Sequence, residues 1–378
     1  CRKCESGSEC PSLACDIKGR CADETSVVYA LAGTGSYDAT CGTKASPCIS
    51  VGTAASMLSS SRPYLVLIKT STGFNDTMTI PPGLDAHVFG NGQKISAYSS
   101  PPGPGIIISG GNVVIDDLIV EQTNVGSSSN PTAAIACSEG NLKLLRVELT
   151  NTDTDYNAVG LRLEGCSAGV QQSTFTGNRT ALVSSPGLGG PVNTLTVERS
   201  LFQGNVQALD FSGDSFTIRN NLFIANGQTS YVRIIKPGAE TSGVFAYNTL
   251  YSNDNNCSYE GGLIACEYGN AKCGIQSSNL FWHNMFGGSG NGPCYDQVYE
   301  TPAPAIKYTL AEATWPGDGN VNADPLLKDP DNGDYTPGSG SPAIDAGDED
   351  PNVVPDVDYF GNPRPQGAHP DIGAIEAE

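Results

Sequence analysis

Leu-Thr-Val-Glu-Arg-Ser-Leu-Phe-Gln-Gly-Asn, from Leu195 to Asn205, returns as Phe-Thr-Ile-Arg-Asn-Asn-Leu-Phe-Ile-Ala-Asn from Phe216 to Asn226. It returns again as Gly-Val-Phe-Ala-Tyr-Asn-Thr-Leu-Tyr-Ser-Asn from Gly243 and Gly-Ile-Gln-Ser-Ser-Asn-Leu-Phe-Trp-His-Asn from Gly274. Looser versions precede it, beginning at Val113, Leu142 and Gly169. Each phrase alternates apolar and polar residues, bends at a polar pair, resumes with bulky apolar residues and closes on Asn. That is strand, corner, strand, turn. The closing Asn178, Asn205, Asn226, Asn253 and Asn284 lie 27, 21, 27 and 31 residues apart. Such a period marks stacked units, none of which buries its apolar face alone. Helical repeats would space apolar residues by three and four, whereas the spacing here is two. The pattern therefore predicts an all-β chain wound as a parallel β-helix, with Val197, Leu201, Ile218 and Leu222 stacked inward. The repeated Asn suits a left-handed corner and can bond up the stack. A β-sandwich is the competing arrangement, but sandwiches do not repeat a whole phrase this often.

A second set of strands aligns as Leu161-Arg162-Leu163, Leu209-Asp210-Phe211, Val232-Arg233-Ile234 and Leu263-Ile264-Ala265, with Arg162, Asp210 and Arg233 outward on one face. Cys137 and Cys166, about one coil apart, can staple neighbouring turns. From Asn255 to Tyr308 the rhythm is broken by longer loops holding Cys257, Cys266, Cys273 and Cys294 and the aromatics Tyr259, Tyr268, Trp282 and Tyr295. Long stapled loops on one side of a solenoid are where binding commonly happens.

The 378 residues exceed one ordinary compact core, a limit that a solenoid escapes by growing along its axis. A net charge of −20 argues against nucleic acid and anionic membrane surfaces, and makes a polyanionic glycan an awkward ligand unless cations bridge the two. No run approaches 18 apolar residues. Thirteen cysteines imply an oxidising compartment, and an odd number leaves at least one outside intrachain pairing. Cys1 is the economical candidate: bacterial lipoproteins mature by cleavage before a lipid-bearing Cys. Pairing of Cys1 with a residue beyond this sequence is the alternative. Setting Cys1 aside leaves twelve cysteines for disulfides.

Residues 1–26 form a first segment in which Cys1, Cys4, Cys10, Cys15 and Cys21 sit among few apolar residues, a knot that only disulfides can hold. Its spacing, C-x2-C-x5-C-x4-C-x5-C, resembles the Cys-rich stalks that follow the lipid site in secreted myxobacterial proteins. The solenoid follows over 27–320. Near its start, Val51, Ala54, Ala55 and Leu58 at helical spacing predict a short amphipathic helix covering the open end of the first coil, with Cys41 and Cys48 closing the loop before it. This start resembles that of bacterial proteins of the pectate-lyase-like superfamily, which implies a right-handed β-helix. The last segment, 321–378, reads Asn-Ala-Asp-Pro-Leu-Leu from Asn322, Ser-Pro-Ala-Ile-Asp-Ala-Gly-Asp from Ser341, Asp-Val-Asp-Tyr-Phe-Gly-Asn-Pro-Arg-Pro from Asp356 and His-Pro-Asp-Ile-Gly-Ala-Ile-Glu from His369. It resembles the choice-of-anchor Q type module, which accompanies secreted or surface β-helix proteins, some of them polysaccharide lyases. Physically it is expected to cap the far end of the stack.

Three constellations are candidates for chemistry. Asp345, Asp348, Asp350, Asp356 and Asp358, with Glu349 and the flexible Gly347, supply hard oxygen ligands that could hold Ca²⁺, though not at EF-hand spacing; a solvated acidic loop is the alternative. Arg162, Asp210 and Arg233, with Lys236 nearby, offer the basic proton acceptor and carboxylate partner that β-elimination of a uronate requires; ordinary pairing between adjacent coils explains the same charges. Trp282 could stack on a sugar, or only cover a loop beside the core residue Phe281. No set of aspartates aligns as polygalacturonase-type hydrolysis would need. His87, His283 and His369 have no metal spacing. Asn75, Asn178 and Asn256 begin N-x-S/T sequences, which matter only where the source glycosylates proteins.

The expected function is that of a secreted, lipid-anchored surface protein whose β-helix binds glycan or protein, or assembles with copies of itself. The alternative is a polysaccharide lyase or hydrolase acting beside the 254–308 loops. A lyase needs clustered Lys, Arg and Tyr in a cleft with carboxylates arranged for Ca²⁺. The dispersed basic residues favour binding.

Overall fold

The computed structural model describes residues 4, 9–15, 19–97, 103–122, 132–151, 158–185, 193–213, 215–227, 235–237, 242–253, 264–265, 275–284, 298–299, 306–312 and 314–377. The chain is all-β and coils as a parallel β-helix. It divides into two units, one of Cys1–Gly169 with Ser173–Val192, the other of Val170–Gln172 with Asn193–Glu378. Among the described residues no helix is long and apolar enough to cross a membrane.

In the first unit Val27–Ala30, Tyr64–Leu67, Ala86–Ala97, Asn112–Gln122 and Ala133–Leu145 lie one above the next in parallel register. Val28, Leu65, Val88, Ile115 and Leu144 are successive register partners, and all are buried. This column makes the core, each side chain covering the one below. Fully burying such a side chain contributes about 1.5–3 kcal/mol. The predicted helix is present as α1, Val51–Ser56. Ser50 caps it by accepting from the Thr53 N–H at 3.0 Å, and Val51, Ala54 and Ala55 bury its apolar side against Val27–Ala30, Tyr64–Leu67 and Met78–Thr79. Cys41–Cys48 closes the loop ahead of it, and Cys137–Cys166 joins adjacent coils. The N-terminal knot is Cys4–Cys15 and Cys10–Cys21. It is tied to the first coil by the Tyr29 hydroxyl, which donates to the Ser12 carbonyl at 2.9 Å, and by Lys44, which donates to that of Pro11. The remaining expected disulfide cysteines, Cys257, Cys266, Cys273 and Cys294, lie outside the described residues, as does Cys1.

In the second unit Val197, Ile218 and Phe245 form one inward column, and Phe202, Phe223, Leu250 and Phe281 another. Phe202 and Phe223 stack at 4.9 Å. Leu201 and Leu222 were expected inward; they face the other way. Leu222 joins Ile224, Tyr251, Tyr335, Ala374 and Ile375 in a separate cluster against which Leu201 packs. In Leu201-Phe202, Leu222-Phe223 and Leu280-Phe281 the second of two adjacent bulky residues after the corner enters the core, and in the Gly243 phrase Leu250 holds that place.

The corners differ from expectation by one residue. The left-handed position is held by the residue before the Asn: Gly204 (φ 63°), Ala225 (φ 50°), Ser252 (φ 55°) and His283 (φ 51°). The Asn side chain is thereby turned inward and forms a ladder. Asn205 donates through its backbone N–H and its amide to Asn226 Oδ1 at 3.1 and 3.0 Å, Asn226 does the same to Asn253, and Asn253 to Asn284. A second ladder runs through Asn221, Asn248 and Asn279 at the other corner. Both rows are buried, so every amide atom taken from water has a partner in the stack.

The C-terminal segment departs from the expected end cap. It runs along the side of the second unit, reaching successive coils through Thr249, Ser278, Tyr247, Asn220 and Arg199. Thr249 Oγ1 accepts from the Ala374 N–H at 3.0 Å, Ser278 Oγ from the Asp348 N–H at 2.8 Å, and Arg199 Nε donates to the Tyr359 carbonyl at 3.2 Å. The reason is the outward apolar row of Leu222, Ile224 and Tyr251, which needs cover that an end cap cannot give. Gly361 takes a left-handed φ of 93° beside the Arg199 guanidinium, a backbone conformation that suits glycine. The His-Pro-Asp-Ile-Gly-Ala-Ile-Glu motif closes around Arg364, which bonds Glu376 Oε1 at 2.8 Å, donates to the Asp371 and Gly373 carbonyls, and lies over the Tyr247 ring at 4.5 Å. Burial pushes the Arg364 guanidinium below its ordinary value and the Glu376 carboxyl above its own, and their mutual attraction opposes both shifts.

Candidate functional site

Outward charges on the coils meet opposite charges on the next coil. Lys94 bonds Glu121 at 2.8 Å, Arg219 bonds Glu198 at 2.6 Å, and Arg146 bonds Asp116. Burial pushes the Asp116 carboxyl up, and Arg146 opposes that rise. Parallel register makes such pairs natural, because a residue one coil later lies beside its predecessor. Each cation so held is committed to a carboxylate and is poorly placed to abstract a sugar proton.

The proposed basic row is not assembled as expected. Arg162 lies in the strand Val159–Gln171 between the buried Leu161 and Leu163, with Val183 as its register partner. Asp210 stands in the second unit between Leu209 and Phe211, and its partner is Lys236, not Arg233. The slip follows from sequence spacing: three residues separate Asn205 from Leu209, whereas eight separate Asn226 from Ile235, the partner of Leu209. Arg233 lies outside the described residues.

Among the candidate binding aromatics, Tyr259, Tyr268 and Tyr295 also lie outside them. Trp282 is half-buried, packed where the C-terminal segment crosses the coils near Leu327, which agrees with a covering role. The histidines serve packing or local pairing: His87 stacks on Phe89 at 3.8 Å, His283 Nδ1 meets the Tyr251 hydroxyl at 3.1 Å, and the exposed His369 meets Glu349 at 2.6 Å.

The acidic set does not converge on a point that would suit Ca²⁺. Asp345 accepts from the His369 N–H, Asp348 from Ser277 Oγ and the Asp350 N–H, Asp350 from Asn352, and Asp358 from Asn362 and the Glu376 N–H. Asp356 contributes its carbonyl to the Arg364 N–H. These carboxylates brace the backbone that carries them. Among the described residues the one group of three ligand-type side chains within metal-binding reach is Cys4, Cys10 and Cys21, all in disulfides.

A feature that the sequence did not single out is a groove of about 440 Å³ beside α1, lined by Tyr37, Ile49, Ser50, Thr72, Asn75 and Asp76 among others. Tyr37 is 88% exposed. The lining comes from three separate stretches, so no local motif announces it. The signal available was an aromatic residue, Tyr37, just before the disulfide-closed loop.

No protein-family model matches the chain, and no curated protein does either. Among solved structures the chain is similar to "Crystal structure of pectate lyase Pel9A", with a TM-score of 0.54 at 13% identity over 94% of this chain and 100% of that one. Another, "The complex structure of XylC with xylose", matches at a TM-score of 0.31 and 10% identity over 83% of this chain and 67% of that one. The first likeness shows the pectate-lyase-like parallel β-helix as the fold.

Proposed function

We propose that this β-helix is a secreted, surface-located binding protein that holds glycan or protein on its flank, or docks on copies of itself. The observation that carries this reading is the pairing of outward charges between coils, Lys94 with Glu121, Arg146 with Asp116 and Arg219 with Glu198. That arrangement commits these charges to holding coils together. Four disulfides among the described residues support an oxidising compartment outside the cytosol. Lipidation of Cys1 is part of the proposal, and the intact mass of the native protein tests it by the presence of an acyl group.

Binding is tested by retention of the purified chain on immobilised polysaccharides and surface-protein extracts. Saturable retention on a glycan or protein, or concentration-dependent self-association, is expected. Failure of all three overturns the reading.

The second reading is a polysaccharide lyase or hydrolase working beside the 254–308 loops, favoured by the fold likeness to a pectate lyase. It would draw its proton acceptor from Arg162, Arg233 or Lys236 and pair it with Asp210. Ca²⁺ would be required if the substrate were a uronate, given the net charge of −20.

A further inference from the structure

We infer that the groove beside Tyr37 is a subsite for a neutral pyranose ring. This rests on the binding reading above and gives it a place and a ligand class. Three observations meet there.

The first is a fixed aromatic platform. A lone exposed tyrosine is ordinary, but the backbone on both sides of Tyr37 is pinned. Ser36 donates its N–H to the Pro47 carbonyl at 2.7 Å and accepts from the Ile49 N–H at 3.0 Å, while its hydroxyl accepts from the Asp38 N–H at 3.0 Å. Asp38 accepts in turn from the Thr40 N–H at 2.9 Å. The ring is held out in water with little backbone freedom left to lose on binding. Its hydroxyl makes no hydrogen bond among the described residues. The negative face of such a ring suits the apolar C–H face of a sugar.

The second is the polar part of the lining. Asp76 Oδ2 accepts from Ser50 Oγ and, at 2.9 Å, from the Gly52 N–H, which orients the carboxylate and leaves Oδ1 without a partner among the described residues. The Asn75 amide is likewise without a partner there, and Thr72 adds a hydroxyl. An anchored carboxylate beside an amide that both donates and accepts matches the vicinal hydroxyls of a sugar. A purely aromatic ligand would leave these groups unmatched.

The third is charge and size. No Lys or Arg lines the groove and Asp76 does, so a uronate or phosphate would meet repulsion. The volume of about 440 Å³ falls within the ~300–1,000 Å³ of small-ligand sites. Two of its lining residues are glycines: Gly33 (φ 80°), and Gly73, where a Cβ would lie 2.8 Å from the Lys94 carbonyl, so neither position readily takes a side chain.

The test is calorimetric titration of the full chain with cellohexaose, xylohexaose and mannohexaose, with hexagalacturonate as the charged comparison. Tyr37→Ala, Asn75→Ala and Phe360→Ala are titrated alongside, the last being an exposed aromatic on the C-terminal segment. Because Tyr37 is exposed, its truncation leaves the thermal midpoint unchanged, which separates site loss from misfolding. Saturable binding of a neutral hexaose is expected, weakened tenfold or more by Tyr37→Ala and several-fold by Asn75→Ala, unaffected by Phe360→Ala, with hexagalacturonate inert. Neutral-sugar binding that survives Tyr37→Ala overturns this subsite and leaves the binding reading standing. Preference for hexagalacturonate also overturns the subsite. Absence of binding to every sugar overturns the subsite, and the broader reading then stands or falls on the retention experiment.

Discussion

Replacing Asn226 by Ala removes one rung from the ladder and isolates what that rung contributes. The side chain is fully buried; Oδ1 accepts from the Asn205 N–H and amide, and Nδ2 donates to the Phe202 carbonyl and Asn253 Oδ1. Alanine leaves the Asn205 N–H, the Asn205 amide and the Phe202 carbonyl each short of a partner. An unsatisfied buried group costs about 1–3 kcal/mol, which sets a raw range of about 3–9 kcal/mol for three. Water entering the vacated space recovers part of this, so about 3–4 kcal/mol is the expected loss. Equilibrium urea denaturation of wild type and variant, read by tryptophan fluorescence and far-ultraviolet dichroism, measures it. Asn226→Asp should do at least as badly, since a carboxylate cannot donate to the Phe202 carbonyl and carries charge into the stack. A loss below about 1 kcal/mol for Asn226→Ala, smaller than the cost of one orphaned group, would refute the claim that the ladder joins the coils.

Arg364→Met should cost about 3–5 kcal/mol in the same denaturation experiment, because Glu376 is left buried without its cation. Replacing both Cys137 and Cys166 by Ala opens a link spanning 29 residues, for which chain entropy predicts a loss of about 3–4 kcal/mol by the same readout. His369 is held above its ordinary value by its hydrogen bond to Glu349 and by that carboxylate's charge. A raised folded value contributes stability that is present below the unfolded value, about 6.5, and is lost as pH rises through the folded one. The thermal midpoint of wild type should therefore exceed that of His369→Gln at mildly acidic pH and converge with it at alkaline pH; a gap that widens with pH would show the reverse linkage.

The repeated phrases made the β-helix legible because a parallel stack forces like residues to recur at the coil length. The cross-coil disulfide Cys137–Cys166 and α1 were legible for related reasons, one from spacing and one from helical periodicity. What was hidden depended on chain brought from far away. Leu222 looked like core because its outward cover, Tyr335 and Ile375, arrives more than a hundred residues later. The same displacement concealed the C-terminal segment's path along the flank. The partner of Asp210 was misjudged because pattern matching placed the next strand at Val232–Ile234, whereas the register partner of Leu209 is Ile235, three residues beyond Val232. Asp358 read as a candidate calcium ligand in an acidic tail, whereas folding buries it and commits its carboxylate to Asn362 and the Glu376 N–H. The Tyr37 groove was illegible because its walls come from three stretches, none distinctive alone.

The proposed function holds that the outward charges of this β-helix join its coils and that the protein binds its ligand without cleaving it. Incubating the purified chain with pectate, alginate and neutral polysaccharides, with and without Ca²⁺, while following the ultraviolet absorbance of unsaturated sugar ends and the release of reducing ends, tests this most directly. A flat record in both channels on every polysaccharide is predicted. A sustained, enzyme-dependent rise in either would contradict the account and turn attention to the 254–308 loops.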